Sequence, residues 1–335
     1  MWKQKAKVLF NLITERPILV IFDVTKRCNQ NCPMCNIKRQ HSCDMSLLEI
    51  EECVKRLSSF GVGYVFLQGG EPLLRSDILA IIDLFLSYGI RPTVITNGIL
   101  LRRELAAEIG QRPCNLAVSI DSMNPETYKY MRGADTLERV KNNIINASDL
   151  PHKGNWSITT TVSKLSSLSD VQAICDFAYA NNFMYAIRPY IHVRGTAGKK
   201  EEKMLYEYQD VLSIFEFMLS KARRDNFLAS LIYEEHINYM QGKKMPECDA
   251  LKYSFLLKET GKIAPCIEFP DLTVDLADFL AMKREYRKKL AACNASTPCF
   301  YNDAREIGFL WRKKWRILAN FSRLVKQMKR YGNFF

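Results

Sequence analysis

The run Thr25-Lys26-Arg27-Cys28-Asn29-Gln30-Asn31-Cys32-Pro33-Met34-Cys35-Asn36 follows directly on an apolar stretch, residues 18–24. Its three cysteines have the spacing C-x3-C-x2-C. Three thiolates this close in sequence can hold three irons of a cubane cluster, which leaves the fourth iron without a protein ligand. A metal with an open coordination position can bind and activate another molecule. The run therefore predicts a chemical role for these cysteines rather than a structural one.

The alternative for the same three cysteines is half of a zinc site. Zinc normally takes four ligands, often as two C-x2-C pairs. The spacing here does not match that pattern, and the nearby candidates for a fourth ligand are His41 and Cys43. The spacing therefore favours an iron–sulfur cluster on Cys28, Cys32 and Cys35 over a zinc ion.

Strand patterns and helix patterns alternate from residue 18 to about residue 195. The strand candidates are residues 18–24, 63–68, 92–96, 115–121, 156–163 and 184–193. The helical stretches are residues 46–60, 76–88, 101–109, 136–148 and 169–181, the first of them opened by a capping box of Ser46 and Glu49. Six βα units in series predict an α/β fold with a parallel sheet, as a barrel or a partial barrel.

The last two predicted strands each have a polar face. Ser157, Thr159, Thr161 and Ser163 share one face of their strand, and Arg188, Tyr190 and His192 share one face of the next. A closed barrel is packed with apolar side chains, so polar inner faces predict a lumen that holds a ligand. Arg188, Tyr190 and His192 are therefore candidate catalytic residues, with His192 as a hypothetical proton donor. An edge strand with one wet face, and hydrogen bonds that only stabilise the barrel, are the alternatives.

The cysteine run resembles the signature of the radical SAM superfamily, and further motifs of that family accompany it. Gly69-Gly70-Glu71-Pro72 ends the second predicted strand and resembles the GGEP motif. Three later segments look like further family positions: Thr96-Asn97-Gly98, Ser119-Ile120-Asp121-Ser122 and Met131-Arg132-Gly133. The resemblance covers about residues 17–195, and the joint match is highly specific. One departure is Met34, where the family usually has an aromatic residue near the adenine; methionine is apolar and adaptable enough to replace it.

This resemblance implies a partial (β/α)6 TIM-like barrel with a 4Fe–4S cluster and S-adenosylmethionine (SAM). The open iron would chelate SAM, and an electron from a donor such as flavodoxin or ferredoxin would cleave it to methionine and a 5′-deoxyadenosyl radical, which takes hydrogen from the substrate. The positions that match cofactor-binding motifs are Gly69, Gly70, Glu71, Pro72, Asn97, Ser119, Asp121 and Met34. Taken singly, Gly69–Pro72 would be interpreted as a strand-ending turn, and Ser119 and Asp121 as helix caps. Together with the cysteines, the cofactor-binding interpretation is favoured.

Four further cysteines lie near the C-terminal end of the chain: Cys248, Cys266, Cys293 and Cys299. With Gly261 between the first two, the arrangement resembles a SPASM/Twitch extension, which binds auxiliary clusters, although a full SPASM domain has more cysteines. Four thiolates can ligate one 4Fe–4S cluster completely. We therefore expect one auxiliary cluster, with a zinc site or unrelated cysteines as the alternatives.

The positive charge of the chain is concentrated in its tail. The formal net charge is +12, and residues 311–335 contain eight basic residues and no acid. The rest is nearly balanced, so we expect no nucleic-acid groove. A single helix would place the following apolar residues on one face: Trp311, Trp315, Leu318, Phe321, Val325 and Met328. Such a basic amphipathic helix predicts either contact with a membrane surface or packing on the domain.

These patterns divide the chain into five segments. They are an N-terminal basic amphipathic segment (1–16), the radical SAM core (17–195), a helical connector (196–247), a Twitch-like region (248–302) and a basic amphipathic C-terminal helix (303–335). No apolar run reaches the roughly 20 residues that span a membrane, and no secretory signal follows Met1. We therefore expect a cytoplasmic protein, with peripheral membrane contact as a hypothesis; eleven cysteines there are thiols or metal ligands.

The substrate is the least constrained part of the prediction. Only 27 residues precede Cys28, so we expect no leader-binding domain of the kind that peptide maturases carry. This favours a small-molecule or lipid-linked substrate. A peptide or protein substrate is the alternative. A non-catalytic iron–sulfur or zinc protein is less favoured, because the glycine–acid motif after the second strand argues against it.

Overall fold

The computed structural model describes residues 2–37, 43–191, 200–269, 272–296, 299 and 302–331. The strands within these residues are β1 (Leu19–Thr25), β2 (Tyr64–Gly69), β3 (Arg91–Thr96), β4 (Asn115–Ser119), β5 (Trp156–Val162), β6 (Met184–Pro189), β7 (Ser254–Leu257), β8 (Lys262–Ala264) and β9 (Val274–Asp275). The first six match the predicted strands to within two residues, except at the end of β6. That strand stops at Pro189 because its partner β5 ends at Val162, directly opposite.

The strands form one sheet with the order β6-β5-β4-β3-β2-β1-β7-β8-β9. Strands β1 to β6 pair in parallel, and β7 pairs in parallel with the other side of β1. Strands β8 and β9 continue the sheet in antiparallel fashion. Within the described residues the two edge strands do not pair, so the barrel is open. The predicted partial barrel of six βα units is confirmed.

Helices connect the strands and continue beyond them. They are α1 (Trp2–Ile13), α2 (Leu47–Phe60), α3 (Ile78–Ser87), α4 (Arg103–Gly110), α5 (Pro125–Arg132), α6 (Leu137–Ala147), α7 (Leu168–Ala180), α8 (Tyr208–Asp225), α9 (Phe227–Met240), α10 (Phe279–Ser296), α11 (Asn302–Arg312), α12 (Lys314–Ala319) and α13 (Phe321–Tyr331). The predicted capping box opens α2: Ser46 Oγ accepts from Glu49 N–H, and the Glu49 carboxylate accepts from Ser46 N–H at 2.8 Å. Ser46 and Glu49 thus form the capping box at the position that the sequence predicts.

The main core lies between the outer face of the sheet and the helices. Alternate strand residues are fully buried there, among them Val20, Phe22, Val65, Leu67 and Val94. The inner face has a smaller apolar cluster around Leu19, Ile21 and Leu256, and Ile307 of α11 packs against it. A C-terminal helix therefore covers part of the inner face.

The tail forms three short helices rather than one. The second ends at Asn320, a residue type common after helices, and the side chain of Asn320 donates to the Arg316 carbonyl at 2.9 Å. These breaks rotate the apolar face, so Leu310 and Leu324 pack on α9 while Trp315 is 73% exposed. No described helix combines the length and apolarity needed to span a bilayer.

Ion pairs also hold this tail on the domain. Arg316 lies 2.5 Å from Glu234, and Lys313 lies 2.5 Å from Glu235, both carboxylates belonging to α9. Arg312 pairs with the buried Asp249 at 2.8 Å. Of the two predicted roles for the tail, these contacts favour packing on the domain.

Candidate active site

The three N-terminal cysteines lie in the loop after β1, at the carboxyl end of the parallel strands. Cys35 N–H donates to the Cys32 carbonyl at 3.1 Å, which makes a turn between them. The Cys32 thiol donates to the Arg132 carbonyl at 3.4 Å, and Cys28 Sγ accepts from Gln30 N–H at 3.5 Å. The three side chains are half-buried, and none of the ten cysteines that can be described forms a disulfide. One short segment thus presents three thiols.

Glycines at the end of β2 let the backbone approach this loop closely. A Cβ on Gly70 would lie 2.0 Å from the Arg27 carbonyl oxygen, and one on Gly69 would lie 2.2 Å from that of Thr25. This close approach allows two short backbone hydrogen bonds. Gly70 N–H donates to the Thr25 carbonyl at 2.7 Å, and Glu71 N–H donates to the Arg27 carbonyl at 2.8 Å. The two glycines therefore make room for the backbone of the cysteine loop itself.

Glu71 joins the ends of β2 and β3. It is fully buried, and its carboxylate accepts from Leu73 N–H at 3.0 Å, Thr96 Oγ1–H at 2.7 Å and Asn97 N–H at 2.7 Å. Burial raises the pKa of Glu71, although these hydrogen bonds and Arg132 act in the opposite direction. Both carboxylate oxygens are engaged by protein donors, so the side chain fixes the strand ends that surround the site.

A third glycine, Gly133, and a buried ion pair hold the other side of the cysteine loop. A Cβ on Gly133 would lie 2.1 Å from the Asn31 carbonyl oxygen. The preceding residue, Arg132, pairs with Asp121 at 2.7 Å, and the other oxygen of Asp121 accepts from Thr161 N–H at 2.7 Å. Burial lowers the pKa of Arg132, but Asp121 and Cys32 raise it more, so the net shift is upward. Asp121 thus positions the arginine whose carbonyl contacts Cys32.

Asn97, Pro72 and Ser119 also lie at strand ends. The Asn97 side chain donates to Asn29 Oδ1 at 2.7 Å, which ties β3 to the residue after Cys28. Pro72 is buried and starts a short helical turn, residues 72–74, and Ser119 is the half-buried last residue of β4. All three residues thus lie at the carboxyl edge of the sheet, where the cysteine loop also lies, and Asn97 contacts that loop directly.

Met34 packs beside one of the predicted catalytic residues. It contacts the cluster of buried residues formed by Met131, Tyr190 and Met204. The Tyr190 hydroxyl accepts from Glu201 N–H at 2.9 Å. Tyr190 is therefore a packing neighbour of the cysteine loop rather than a side chain projecting into an open lumen.

The other two candidate catalytic residues are Arg188 and His192, and the structure describes only the first of them. Arg188 is half-buried on β6, and its guanidinium lies 3.0 Å from Glu306 of α11. Thr161, opposite Arg188 in the β5–β6 register, is half-buried on the same face. His192 lies outside the described residues. Arg188 and Thr161 thus share a polar, half-buried face of β5 and β6, and Glu306 of α11 pairs with it.

Burial favours the protonated form of two thiols in the cysteine loop. Burial raises the pKa of Cys32 to about 11, against the opposing effect of Arg132, and burial also raises the pKa of Cys35. Binding of a metal or cluster by Cys32 and Cys35 must therefore release a proton from each thiol. Among the described residues, no three His, Cys, Asp or Glu side chains are placed to share one metal ion. A cubane gives each thiolate its own iron, so its ligands stand further apart than those of zinc.

Three of the four C-terminal cysteines come together. Burial raises the pKa of Cys266 well above its ordinary value, and the nearby Cys248 and Cys299 raise it further. Cys293 belongs to α10, but its side chain lies outside the described part of the chain. Gly261 forms the turn between β7 and β8 with a φ of +78°, a conformation that favours glycine.

The charges next to the cysteine loop were not predicted. Asp23 and Lys26 are buried and lie 2.7 Å apart, and Lys26 also lies 3.5 Å from Glu259. Lys26 stands beside Arg27 and resembles an ordinary surface cation, whereas Asp23 interrupts an otherwise apolar strand. A charged residue inside a buried strand was the one available signal for this group.

Residues 22–178 match the family model of the radical SAM superfamily. These residues form a radical SAM domain. The predicted recognition, the assignment as an enzyme, and the pairing of a 4Fe–4S cluster with SAM are thereby confirmed. The individual ligand and binding residues stay predictions.

Curated relatives of this radical SAM protein include several archaeal proteins. A probable GTP 3′,8-cyclase of Methanothermobacter thermautotrophicus is 40% identical over 141 residues, which are 40% of this chain and 46% of that protein. That match therefore spans less than half of the relative. A probable GTP 3′,8-cyclase of Methanococcus maripaludis is 27% identical over 291 residues, covering 81% of this chain and 91% of that protein. An AdoMet-dependent heme synthase of Methanosarcina barkeri is 33% identical over 161 residues, 45% of this chain and 44% of that protein.

Solved structures share the fold of this radical SAM protein. Streptococcus suis SuiB bound to its precursor peptide SuiA has a TM-score of 0.65 at 17% identity, covering 92% of this chain and 73% of that one. The enzyme anSMEcpe with bound AdoMet has a TM-score of 0.63 at 15% identity, covering 92% and 98%. At such identities the likeness concerns the fold alone.

Proposed function

We propose that this protein holds a 4Fe–4S cluster on Cys28, Cys32 and Cys35 and uses SAM to start a radical reaction on a small molecule. The observation that carries the proposal is the cradle around the loop: Gly69, Gly70 and Gly133 have no room for a Cβ where they meet the loop backbone. When bound, the cluster with SAM supplies the radical that abstracts hydrogen from the substrate. The remaining work falls to the chain's own residues.

Those residues orient the loop and exclude water. Glu71 locks the ends of β2 and β3, and Asp121 fixes Arg132 against Cys32. Met34, packed with Met131 and Tyr190, offers an apolar surface beside the third cysteine, in the place where the family has an aromatic residue. Exclusion of water around a reactive species prevents side reactions. We propose Arg188 and the neighbouring Thr161 as the groups nearest to the substrate.

The substrate we propose to test first is GTP. The support is the Methanococcus maripaludis relative, which is named a probable GTP 3′,8-cyclase and is matched over 91% of its length. The inner face also supports a small substrate, because α11 covers part of it: Ile307 packs on β1 and β7, and Glu306 pairs with Arg188 of β6. The basic tail no longer supports a lipid-linked substrate, because its cations pair with carboxylates of the domain. A peptide substrate stays the alternative.

We further propose one auxiliary 4Fe–4S cluster on Cys248, Cys266, Cys293 and Cys299. The support is the approach of Cys248 and Cys299 to Cys266. A small one-electron donor such as flavodoxin or ferredoxin would supply the electrons. Thiols and such clusters persist in a reducing compartment, so we propose the cytoplasm as the location.

Anaerobic reconstitution followed by dithionite and SAM tests the reaction class. We expect wild-type protein to release 5′-deoxyadenosine. The triple variant Cys28→Ala, Cys32→Ala and Cys35→Ala should release none. The exposed Cys43 is the matched control, and Cys43→Ser should behave as wild type. Iron-loaded wild-type protein that yields no 5′-deoxyadenosine would favour the non-catalytic alternative.

Addition of GTP to the same reaction tests the substrate. We expect GTP to be consumed in proportion to 5′-deoxyadenosine, as followed by liquid chromatography. Arg188→Gln should slow GTP consumption while SAM binding stays unchanged. If GTP leaves the 5′-deoxyadenosine yield unaltered, the nucleotide is not the substrate, and other small molecules and short peptides follow in the same assay.

A further inference from the structure

A buried group of charges connects the N-terminal cysteine loop to the C-terminal region. Asp23, Lys26 and Glu259 are 2%, 6% and 3% exposed. Lys26 Nζ stands between the two carboxylates, 2.7 Å from Asp23 Oδ2 and 3.5 Å from Glu259 Oε2. Buried charges are unfavourable unless they are paired, so each of the three depends on the others for its place. The amide of Gln68 donates to the second oxygen of Asp23 at 3.3 Å.

Glu259 holds both ends of the loop that carries the cysteines. Its carboxylate reaches Lys26 just before the first cysteine, and its carbonyl accepts from Met45 N–H at 3.0 Å after the loop. Arg75 spans the same two ends, donating to the Val24 carbonyl at 3.1 Å and the Met45 carbonyl at 2.9 Å. Arg75 comes from the connection after β2, where it follows the short helical turn of residues 72–74. Glu259 comes from the turn between β7 and β8, more than 200 residues beyond the cysteine loop.

The same turn leads into the second set of cysteines. Its Gly261 lies against the Met45 sulfur, which a Cβ would approach to 3.1 Å. Strand β8 follows, and Cys266 comes two residues after it. A displacement of Cys266 would therefore be passed along β8 to Glu259, and from Glu259 to both ends of the N-terminal loop.

We propose that Lys26 and Glu259 are positioning residues through which the C-terminal cysteine region sets the SAM-binding geometry of the Cys28–Cys35 loop. The proposal rests on the proposed function, because it needs a loop that binds the cluster and SAM. The loop then has its full affinity for SAM only while the C-terminal region holds Glu259 in place.

Glu259→Gln tests the pair, since it removes the charge and keeps the size of the side chain. We expect the reconstituted variant to bind SAM roughly tenfold more weakly, the loss that outer-shell substitutions typically cause. SAM affinity would be read from the change that SAM makes in the EPR spectrum of the reduced cluster, with iron content and melting temperature measured in parallel. Lys262→Gln is the matched control: it breaks an exposed pair with Asp275 on the same hairpin and should leave SAM affinity unchanged.

Two further variants separate positioning from packing. Glu259→Asp keeps the charge and should retain SAM affinity to within roughly threefold; a loss as large as that of Glu259→Gln would overturn the charge-based role. Cys266→Ser should weaken SAM binding, and the double variant with Glu259→Gln should be no weaker than the worse single one. If the two losses multiply, the sites act independently and the proposal is wrong. Wild-type protein that binds no SAM at all would instead refute the proposed function.

Discussion

Gly70 provides a direct test of how the cysteine loop is held. In Gly70→Ala the new methyl group would lie 2.0 Å from the Arg27 carbonyl oxygen, 2.6 Å from the Arg27 carbonyl carbon and 2.8 Å from the Lys26 carbonyl oxygen. These are backbone atoms, which cannot rotate away. Since ordinary contact begins at 3.4 Å, the loop would have to retreat by roughly 1.4 Å.

That retreat has an energetic consequence that can be worked from the contacts. It would break the hydrogen bonds of Gly70 N–H to Thr25 and of Glu71 N–H to Arg27, each contributing about 1 kcal/mol. Overpacking adds about 1–3 kcal/mol. Gly70 does not have a positive φ, so backbone strain adds nothing. We therefore expect Gly70→Ala to lower the free energy of unfolding by about 3–5 kcal/mol.

Two measurements check this expectation. Urea unfolding gives the stability, and iron bound per chain after anaerobic reconstitution gives the competence of the loop, which we expect to fall several-fold. Gly242→Ala is the control, because no atom lies within 4 Å of its Cβ position and its φ is +84°. It should lower the free energy of unfolding by about 1 kcal/mol through strain alone and leave iron uptake intact. If the two variants have equal stability and equal iron content, the close packing of the loop is refuted.

Two other predictions concern Glu71 and the tail. Burial raises the pKa of Glu71 above its ordinary 4.5, so its contribution to stability is present at lower pH and is lost as the pH rises through the raised pKa. Glu71→Gln should remove that step from a plot of unfolding free energy against pH. It should also lower the free energy of unfolding by about 1–3 kcal/mol, because the Asn97 N–H is left facing an amide donor. A step that persists in the variant would show that another group titrates. Leu310→Ala, at the contact of α11 with α9, should lower the free energy of urea unfolding by about 2–4 kcal/mol. Trp315→Ala, 73% exposed, should change it by less than about 0.5 kcal/mol, and equal effects of the two would contradict the packing of the tail.

The strands and the motif positions could be predicted because their signals are local. Period-two alternation and the capping box of Ser46 and Glu49 depend only on neighbouring residues, and six strands and α2 follow them. The roles within the motifs could not be predicted in the same way. Glu71 reads as an acid available to a cation, yet its carboxylate contacts Thr96 and Asn97, which are about 25 residues away. Only the register of β2 against β3 decides which way that carboxylate turns.

The tail shows a different limit of sequence reasoning. A basic amphipathic pattern fixes which residues share a helical face, but it does not say whether protein, lipid or water meets that face. Here the helix also breaks at Lys313 and Asn320, so the predicted face no longer exists as one surface. The cations that suggested a membrane have partners on the domain, such as Glu234 for Arg316.

The shape of the cysteine loop is imposed by distant parts of the chain. Its backbone or side chains meet Gly70, Asn97, Gly133 and Glu259, which come from four different connections of the fold. The spacing C-x3-C-x2-C therefore supplies the ligand type, while the barrel supplies the geometry. Loading a cluster on this loop also requires the cysteines to lose their protons. Burial raises the pKa of Cys32 to about 11, so that loss becomes less favourable as the pH falls, and we expect iron uptake to decrease at low pH.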